Sequence, residues 1–543
     1  MSDYRVEVAQ NRMAELAFSS ALDYPDPFNT VTLDMRIADP GGVELSVPGF
    51  WAGGSSWKVR YSSSKVGKHT FRTECSDPDN RGLHGLTGEI EVTPQSSDNP
   101  FYRHGPLQLA EDRRHFEHQD GAPFFWLGDT WWMGLCRRLN WPDEFQSLVA
   151  DRCAKGFTVI QIVAGLYPDM PAFDDRGANE AGFPWEKDFH SIRPEYFDFA
   201  DRRLEYLVEA GLMPCIVGAW GYYLPWMGVE KIKLHWRYLI ARYGALPVVW
   251  CVAGEANLPF YLVEGFPFDD REQVRGWTEV ARYVREIDPF HRLISIHPTG
   301  LGRLSARGAI DEASLLDFDM LQTGHGLREV LAPTVSTLRW SISVKPTMPV
   351  VNSEVSYENL SNNIPAEIPR LMTWVCLLSG AAGHTYGANG IWQVNRKEMA
   401  YGASPHGGNY GVIPWEEAMN LPGSTQAGIA KRLLEQYQWA YFEPHPEWAA
   451  FIDAPSNEYE VPYAAGIPNA VRIIYVSESK PIIVHHLEPA VRYSAAYFNP
   501  VSGERTEIGT VTPNSDHSWA ISPPDYAAPD WVLVLESIYK FKN

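Results

Sequence analysis

Three times between residues 142 and 253, a helical stretch with one apolar face stops at a glycine and passes at once into an apolar run too short to be a helix. Pro142 opens the first, Phe145, Leu148, Val149 and Cys153 share its face, and Gly156 ends it ahead of the run 157–163. The unit returns as 194–210 with Gly211 before 212–219, and as 229–243 with Gly244 before 247–253. Helices of this length between buried strands make the strands parallel and the crossovers right-handed, so this segment builds a parallel sheet, closed or doubly wound. Strand-like runs stand at 124–128, 157–163, 212–219, 247–253, 292–297, 317–322, 348–353 and 380–386. Eight is the number of a (β/α)8 barrel, and ~335 residues suit one with loop insertions. No GxGxxG or GxxxxGK[ST] follows any of these strands, so the nucleotide-binding sheets lack their usual phosphate cradle here.

On both sides the texture changes. From Tyr4 to Val92, short alternating runs such as 32–37 and 57–61 are broken by Pro25, Pro27, Gly41, Gly42, Gly53, Gly54 and Gly67, the pattern of a β-sandwich. The polar stretch TPQSSDNP from Thr93 to Pro100 marks a boundary, and after Tyr441 short strands return, as at 471–476, 481–485 and 531–535. The expected fold class is α/β, a TIM barrel over 100–438 flanked by β-sandwiches over 1–95 and 440–543.

Lys and Arg number 46 against 67 Asp and Glu, a formal charge of −21, and no window is a dense basic run. Such a field repels phosphate backbones, which sets nucleic acid aside as a partner. The start MSDYRVEVAQ lacks a basic flank before an apolar core, and no run reaches ~18 apolar residues, so the expectation is a cytoplasmic protein with no membrane partner. Six scattered cysteines without a CxxC pair are expected to be free thiols.

The reactive groups of such a barrel come from the C-terminal strand ends. Strand one ends in Gly128, Asp129, Thr130, Trp131 and Trp132, strand four in Gly254, Glu255, Ala256 and Asn257, and strand seven in Asn352, Ser353 and Glu354. Strands five, six and eight contribute His297, then Gln322 with His325, then His384 and Tyr386 followed by Asn389 and Trp392. Glu255 and Glu354 face each other across the mouth as the carboxylate pair that glycoside hydrolysis needs, one protonating the leaving oxygen and one attacking the anomeric carbon. Their distance, which separates retention from inversion, is not legible in the sequence. The plainer reading makes them capping or salt-bridging carboxylates, yet both directly follow apolar runs, where an idle carboxylate is costly.

Asp129 either caps its turn or binds a sugar hydroxyl. Trp131, Trp132, Trp220 and Trp392 fit a sugar-stacking platform or the core. Asn257 is a candidate for a substrate hydroxyl and Tyr386 for the nucleophile's carboxylate. His297, His325 and His384 lack HxH or HExxH spacing and read as polar substrate contacts, with no metal and no cofactor expected. No GxSxG elbow stands at a strand end.

The runs FFWLGDTWWMG, VVWCVAGEAN, PVVNSE and GAAGHTYGANGIW resemble the apiosidase-like glycoside hydrolases. The front segments YPDPFNTVTLDMRI, VPGFWAGGSSWKVRY and LTGEIEV are similar to the β-sandwich preceding such barrels, and YFNPVSGE and DWVLVLE to the collagen-binding-type β-domain named in that family. The resemblance implies a (β/α)8 glycosidase with its acid/base at Glu255 and its nucleophile at Glu354. Clan A retaining glycosidases, which share that arrangement, usually carry Asn before the acid/base; Gly254 stands there instead, so the contact to the sugar 2-hydroxyl falls to another residue such as Asn257 or His297. It further implies removal of a terminal sugar, a pentose such as apiose, from an oligosaccharide or plant glycoside, with retention of configuration. A non-catalytic carbohydrate-binding barrel is the main alternative, and transglycosylation or a metal-assisted isomerase comes third. Homo-oligomer formation, linkage and anomer stay open.

Overall fold

In the computed structural model, which describes residues 4–260, 269–405, 408, 410–453, 455, 457–525 and 527–538, all eight apolar runs become strands. They are β1 (Trp126–Trp131), β2 (Val159–Val163), β3 (Met213–Val217), β4 (Val249–Cys251), β5 (Ile294–Ser295), β6 (Asp319–Gln322), β7 (Val350–Glu354) and β8 (Gly383–Tyr386). All pair in parallel, in the order β5, β4, β3, β2, β1, β8, β7, β6. Between β5 and β6 the seam is bridged by Asp317 N to Ile294 O (2.8 Å) and Ser295 Oγ to Phe318 O (2.7 Å), so the sheet curls into a nearly closed TIM barrel. β1, β2, β3 and β7 are buried along their whole length on both faces, so their residues do not alternate between buried and exposed.

The crossovers carry α1 (Asp143–Lys155), α2 (Pro194–Glu209), α3 (Val229–Tyr243), α4 (Arg271–Ile287), α5 (Leu331–Ser343), α6 (Glu367–Leu378) and α7 (Pro422–Leu434). α1 and α2 stop at Gly156 (φ +88°) and Gly211 (φ +82°), left-handed positions that favour glycine. Gly244 after α3 has another reason. Its φ is −61°, and a Cβ there would stand 2.7 Å from Ile240 O and 2.9 Å from the Phe290 ring. From β5 to β6 two single 3-10 turns, Ala306–Gly308 and Ala313–Leu315, replace a helix.

The N-terminal end of the barrel is plugged. Strands Leu107–Leu109, Phe116–His118 and Pro123–Phe124 form a small sheet there, with the Phe116 ring 5.4 Å from Trp126 and 5.5 Å from Phe318. Access to the interior is therefore at the other end, where the strands finish.

Ahead of the barrel, a five-stranded and a three-stranded sheet face each other over a core including Leu33, Met35, Val59 and Ile90. Behind it, a six-stranded and a three-stranded sheet enclose Ile474, Val476, Ile482 and Leu533. Phe50 from the front and Tyr475, Phe498 and Val532 from the back join the barrel's own apolar cluster, so both flanking parts pack on the barrel while keeping cores of their own. The six cysteines are free. Among the described residues no helix is long and apolar enough to cross a membrane.

Candidate active site

Glu354 is the last residue of β7 and is 5% exposed. Glu255 lies just beyond β4, half-buried, with φ +40°. A non-glycine residue in that region is strained and is held by its surroundings. The chain at Trp220–Gly221 supplies the hold: Gly221 N donates to Gly254 O at 2.8 Å, and the Trp220 indole N–H donates to Glu255 Oε2 at 3.2 Å. Such close approach needs both glycines. A Cβ on Gly221 would stand 2.2 Å from Glu255 O, and one on Gly254 would stand 2.2 Å from the Trp220 ring.

One side-chain amide joins the two glutamates. Gln322 Nε2 donates to Glu255 Oε1 and to Glu354 Oε1, each at 2.9 Å. The facing oxygens are therefore no farther apart than twice that distance. Glu354 Oε1 also lies 2.9 Å from His325 Nε2, and its Oε2 accepts from the Tyr357 hydroxyl at 2.7 Å, with His297 Nε2 at 3.5 Å.

These surroundings push the two carboxyls in opposite directions. Burial raises Glu255 well above the usual carboxylate range, and the charges of Glu354 and Asp169 raise it further against the donors Gln322 and Trp220. Burial acts on Glu354 too, but the hydrogen bond and charge of His325, the charge of His297 and the Tyr357 hydroxyl outweigh it and leave Glu354 below its ordinary value. Burial lowers His297, against the opposing charge of Glu354.

Both glutamates line a cavity of about 420 Å³ at the C-terminal mouth, together with the expected Trp132, Trp220, Gln322, His325 and Trp392. The Trp132 ring meets Trp220 edge-on at 5.4 Å and His297 at 5.7 Å. His297 is wholly buried beneath the cavity and meets it through Glu354.

Six expected contacts lie elsewhere. Asp129 is wholly buried and accepts from Arg152 Nε (2.5 Å), Trp131 Nε1 (2.7 Å) and Thr130 N (2.9 Å), an internal ion pair in place of a sugar contact. Trp131 is core, edge-on to Phe145 at 5.8 Å. Asn257 turns its Nδ2 to Ala309 O at 3.1 Å. The Tyr386 hydroxyl donates to Glu358, so Tyr357 holds the carboxylate expected of it. Asn389 accepts from Gln393 inside the wall. His384 is enclosed among the strands, and burial takes its imidazole down to about 3.

Four polar cavity residues were not expected, among them Thr299 after β5. Tyr357 sits three places after Glu354, a spacing that could have pointed to it. Asp169, in the loop after β2 with φ +58°, accepts from the Tyr410 hydroxyl at 2.9 Å, and Tyr410 comes from the long insertion after β8. Neither loop has a periodicity from which its position could be read. Among the described residues no group of three or more His, Cys, Asp or Glu could hold a metal ion.

A family model described as the apiosidase-like catalytic domain matches residues 110–441, more than half of the chain. A second, a domain of unknown function (DUF5060), matches residues 7–76. No curated protein matches the sequence. Among solved structures, one described as a glycoside hydrolase has a TM-score of 0.65 at 21% identity, covering 82% of this chain and 100% of its own. A glycoside hydrolase family 5 protein from Bacteroides vulgatus ATCC 8482 has a TM-score of 0.65 at 21% identity, covering 82% and 96%. A further structure from that organism, titled a putative glycoside hydrolase, has a TM-score of 0.68 at 17% identity, covering 98% and 100%. At such identities the likeness speaks for the fold, and the sequence match carries the family. The chain belongs to the apiosidase-like family and is a glycoside hydrolase.

Proposed function

We propose that the protein removes a terminal pentose such as apiose from a short oligosaccharide or plant glycoside with retention of configuration, using Glu255 as acid/base and Glu354 as nucleophile. The carrying observation is the shared amide: two carboxylate oxygens, each 2.9 Å from Gln322 Nε2, face each other at a spacing that suits the ~5 to 5.5 Å of retaining pairs better than the ~6.5 to 9.5 Å that admits a water. The opposite pKa directions suit the division of labour. Glu255, raised, keeps a proton to give to the leaving oxygen, while Glu354, lowered, is ionised and attacks the anomeric carbon.

In the first step the Glu354 oxygen bonds to the anomeric carbon as that carbon's bond to the leaving oxygen breaks, and the Glu255 proton goes to the leaving group. In the second step Glu255, now ionised, takes a proton from water as the water oxygen displaces Glu354. No cofactor is used. The pentose rests on the family match, and a cavity of about 420 Å³ lies within the ~300 to 1,000 Å³ of small-ligand sites.

The test is hydrolysis of 4-nitrophenyl apiosides, arabinofuranosides, xylosides and galactofuranosides, with proton NMR of the first product anomer. The expected result is one released sugar with retained configuration, and a loss of at least ~10²-fold in kcat for Glu255→Gln and Glu354→Gln on natural leaving groups. Inversion removes the nucleophile role from Glu354. Full activity in both variants removes the mechanism.

A further inference from the structure

The two sides of the cavity differ in chemistry. Around Glu354 stand Gln322, His325 and Tyr357, each within hydrogen-bond distance of its carboxylate. The side beside Glu255 is walled by the loops after β4 and its neighbour β5, and the apolar side chains that those loops turn to the cavity are Leu258 and Leu301.

Both loops are held in place from α4. Leu258 N donates to Glu255 O at 2.9 Å, and Gln273 Nε2 on α4 donates to Leu258 O at 3.0 Å and to Ala256 O at 3.2 Å. In the turn after β5, Leu301 N donates to the Thr299 hydroxyl oxygen at 3.2 Å, and Arg303 makes a two-pronged pair with Asp270 just ahead of α4. A single exposed leucine on a protein surface is ordinary, but Leu301 is 52% exposed while lining the cavity, so a ligand can cover it.

The polar groups on this side are committed elsewhere. The Thr299 hydroxyl donates to Leu301 O at 3.2 Å, and Asp169 accepts from the Tyr410 hydroxyl. Trp220, the ring that reaches Glu255, is 2% exposed. Its N–H is given to Glu255 and its ring fills the space of a Cβ on Gly254, so it has little face on which a sugar could stack.

We propose that the leaving group is an apolar aglycone, an aromatic or terpenoid alcohol, that packs on Leu258 and Leu301, so that these two leucines select the substrate on its aglycone side; this rests on the glycosidase reading above, with Glu255 as the acid. The acid gives its proton to the oxygen that departs from the anomeric carbon, and the nucleophile takes the opposite face of the sugar. What the departing oxygen carries therefore lies on the Glu255 side. There it meets aliphatic carbon in place of hydrogen-bond partners. A second sugar would lose water from its hydroxyls without replacement bonds, whereas an apolar group gains by leaving water.

The experiment uses the sugar that the panel above shows to be released fastest, linked to two primary alcohols of similar leaving ability: 2-phenylethanol, and the 6-hydroxyl of methyl glucoside. The readout is the ratio of the two kcat/KM values, in the parent enzyme and in Leu301→Ser, a change at a half-exposed side chain that the fold tolerates. Both substrates share the released sugar and the chemistry, so disturbance of the glutamates cancels in the ratio. The parent is expected to favour the phenylethyl glycoside by about tenfold or more, and Leu301→Ser to lower that preference by about tenfold. Equal or faster cleavage of the sugar-linked substrate by the parent overturns the assignment, and so does a ratio unchanged in Leu301→Ser.

A second measurement reads binding without turnover: inhibition of the parent enzyme by the free sugar and by its 2-phenylethyl thioglycoside. The thioglycoside is expected to bind about tenfold or more tightly than the sugar, with that gain reduced in Leu301→Ser. Equal binding of the two overturns the assignment. Absence of turnover on every glycoside is a different result, which removes the glycosidase reading and this assignment with it.

Discussion

At the scale of single residues, Glu255 and Glu354 differ in their donors. Glu354 has Gln322, His325 and Tyr357 around both oxygens, while Glu255 has one N–H from Gln322, one from Trp220, and the negative charges of Glu354 and Asp169 nearby. In the proposed mechanism, activity requires Glu354 ionised and Glu255 protonated. It therefore rises with pH through the lowered titration of the pair and falls through the raised one, giving a bell in kcat/KM whose limbs belong to the coupled pair. Tyr357→Phe removes a donor that stabilises the ionised form of Glu354, so the acid limb should move to higher pH while the basic limb, set chiefly by the burial of Glu255, moves less. A pH profile of the variant with an unmoved acid limb would show that the phenol does not tune this carboxyl.

At the scale of elements, the second, third and fourth strands were the most legible, because burial on both faces writes them as largely apolar runs that follow glycine-stopped helices. The ends of the eight strands gave the two glutamates, Gln322 and His325, but alternation along a strand sends neighbours to opposite sides. Asp129 and Trp131 stand at the end of β1, yet an ion pair with Arg152 turns them from the cavity, whereas Trp132 next to them lines it. A strand end read from sequence does not say which of two successive side chains faces the mouth. Contacts from loops, as with Asp169 and Tyr410, depend on where the chain returns and have no local signature. Gly254 looked like a missing contact in sequence and is a steric requirement in the structure. Gly254→Asn should therefore not restore a sugar contact. Its Cβ must displace the Trp220 ring from 2.2 Å, with an overpacking cost of about 1–3 kcal/mol. The indole bond to Glu255 Oε2 goes with it, so thermal unfolding should come earlier and kcat should fall, and an active, equally stable variant would contradict this account.

At the scale of the whole molecule, the flanking sandwiches are anchored to the barrel by buried ions as well as by apolar packing. At the front, Arg60 reaches Asp201 on α2 at 2.6 Å and Arg242 O on α3 at 2.9 Å. At the back, Arg370 on α6 makes a two-pronged pair with Asp530, at 2.7 and 2.9 Å, with both side chains 4% exposed. The Tyr475 hydroxyl adds a third donor to Asp530 at 2.7 Å, and the Tyr475 ring stacks on Trp374 of α6 with centroids 5.7 Å apart. Trp374 is wholly buried, so removing the C-terminal sandwich would expose it along with the rest of that face of α6. The barrel and its C-terminal sandwich should consequently unfold as one unit. Asp530→Ala leaves the Arg370 guanidinium buried with Gln426 as its remaining side-chain acceptor, and breaking such a pair from one side costs about 3–5 kcal/mol. Because neither Asp530 nor Arg370 lines the cavity, the loss should appear in the unfolding of the whole enzyme and much less in its KM. Calorimetry is the check: a single transition that moves down in Asp530→Ala supports one cooperative unit, whereas an early transition of the C-terminal part, with the barrel's own melting unmoved, would show that the two fold independently.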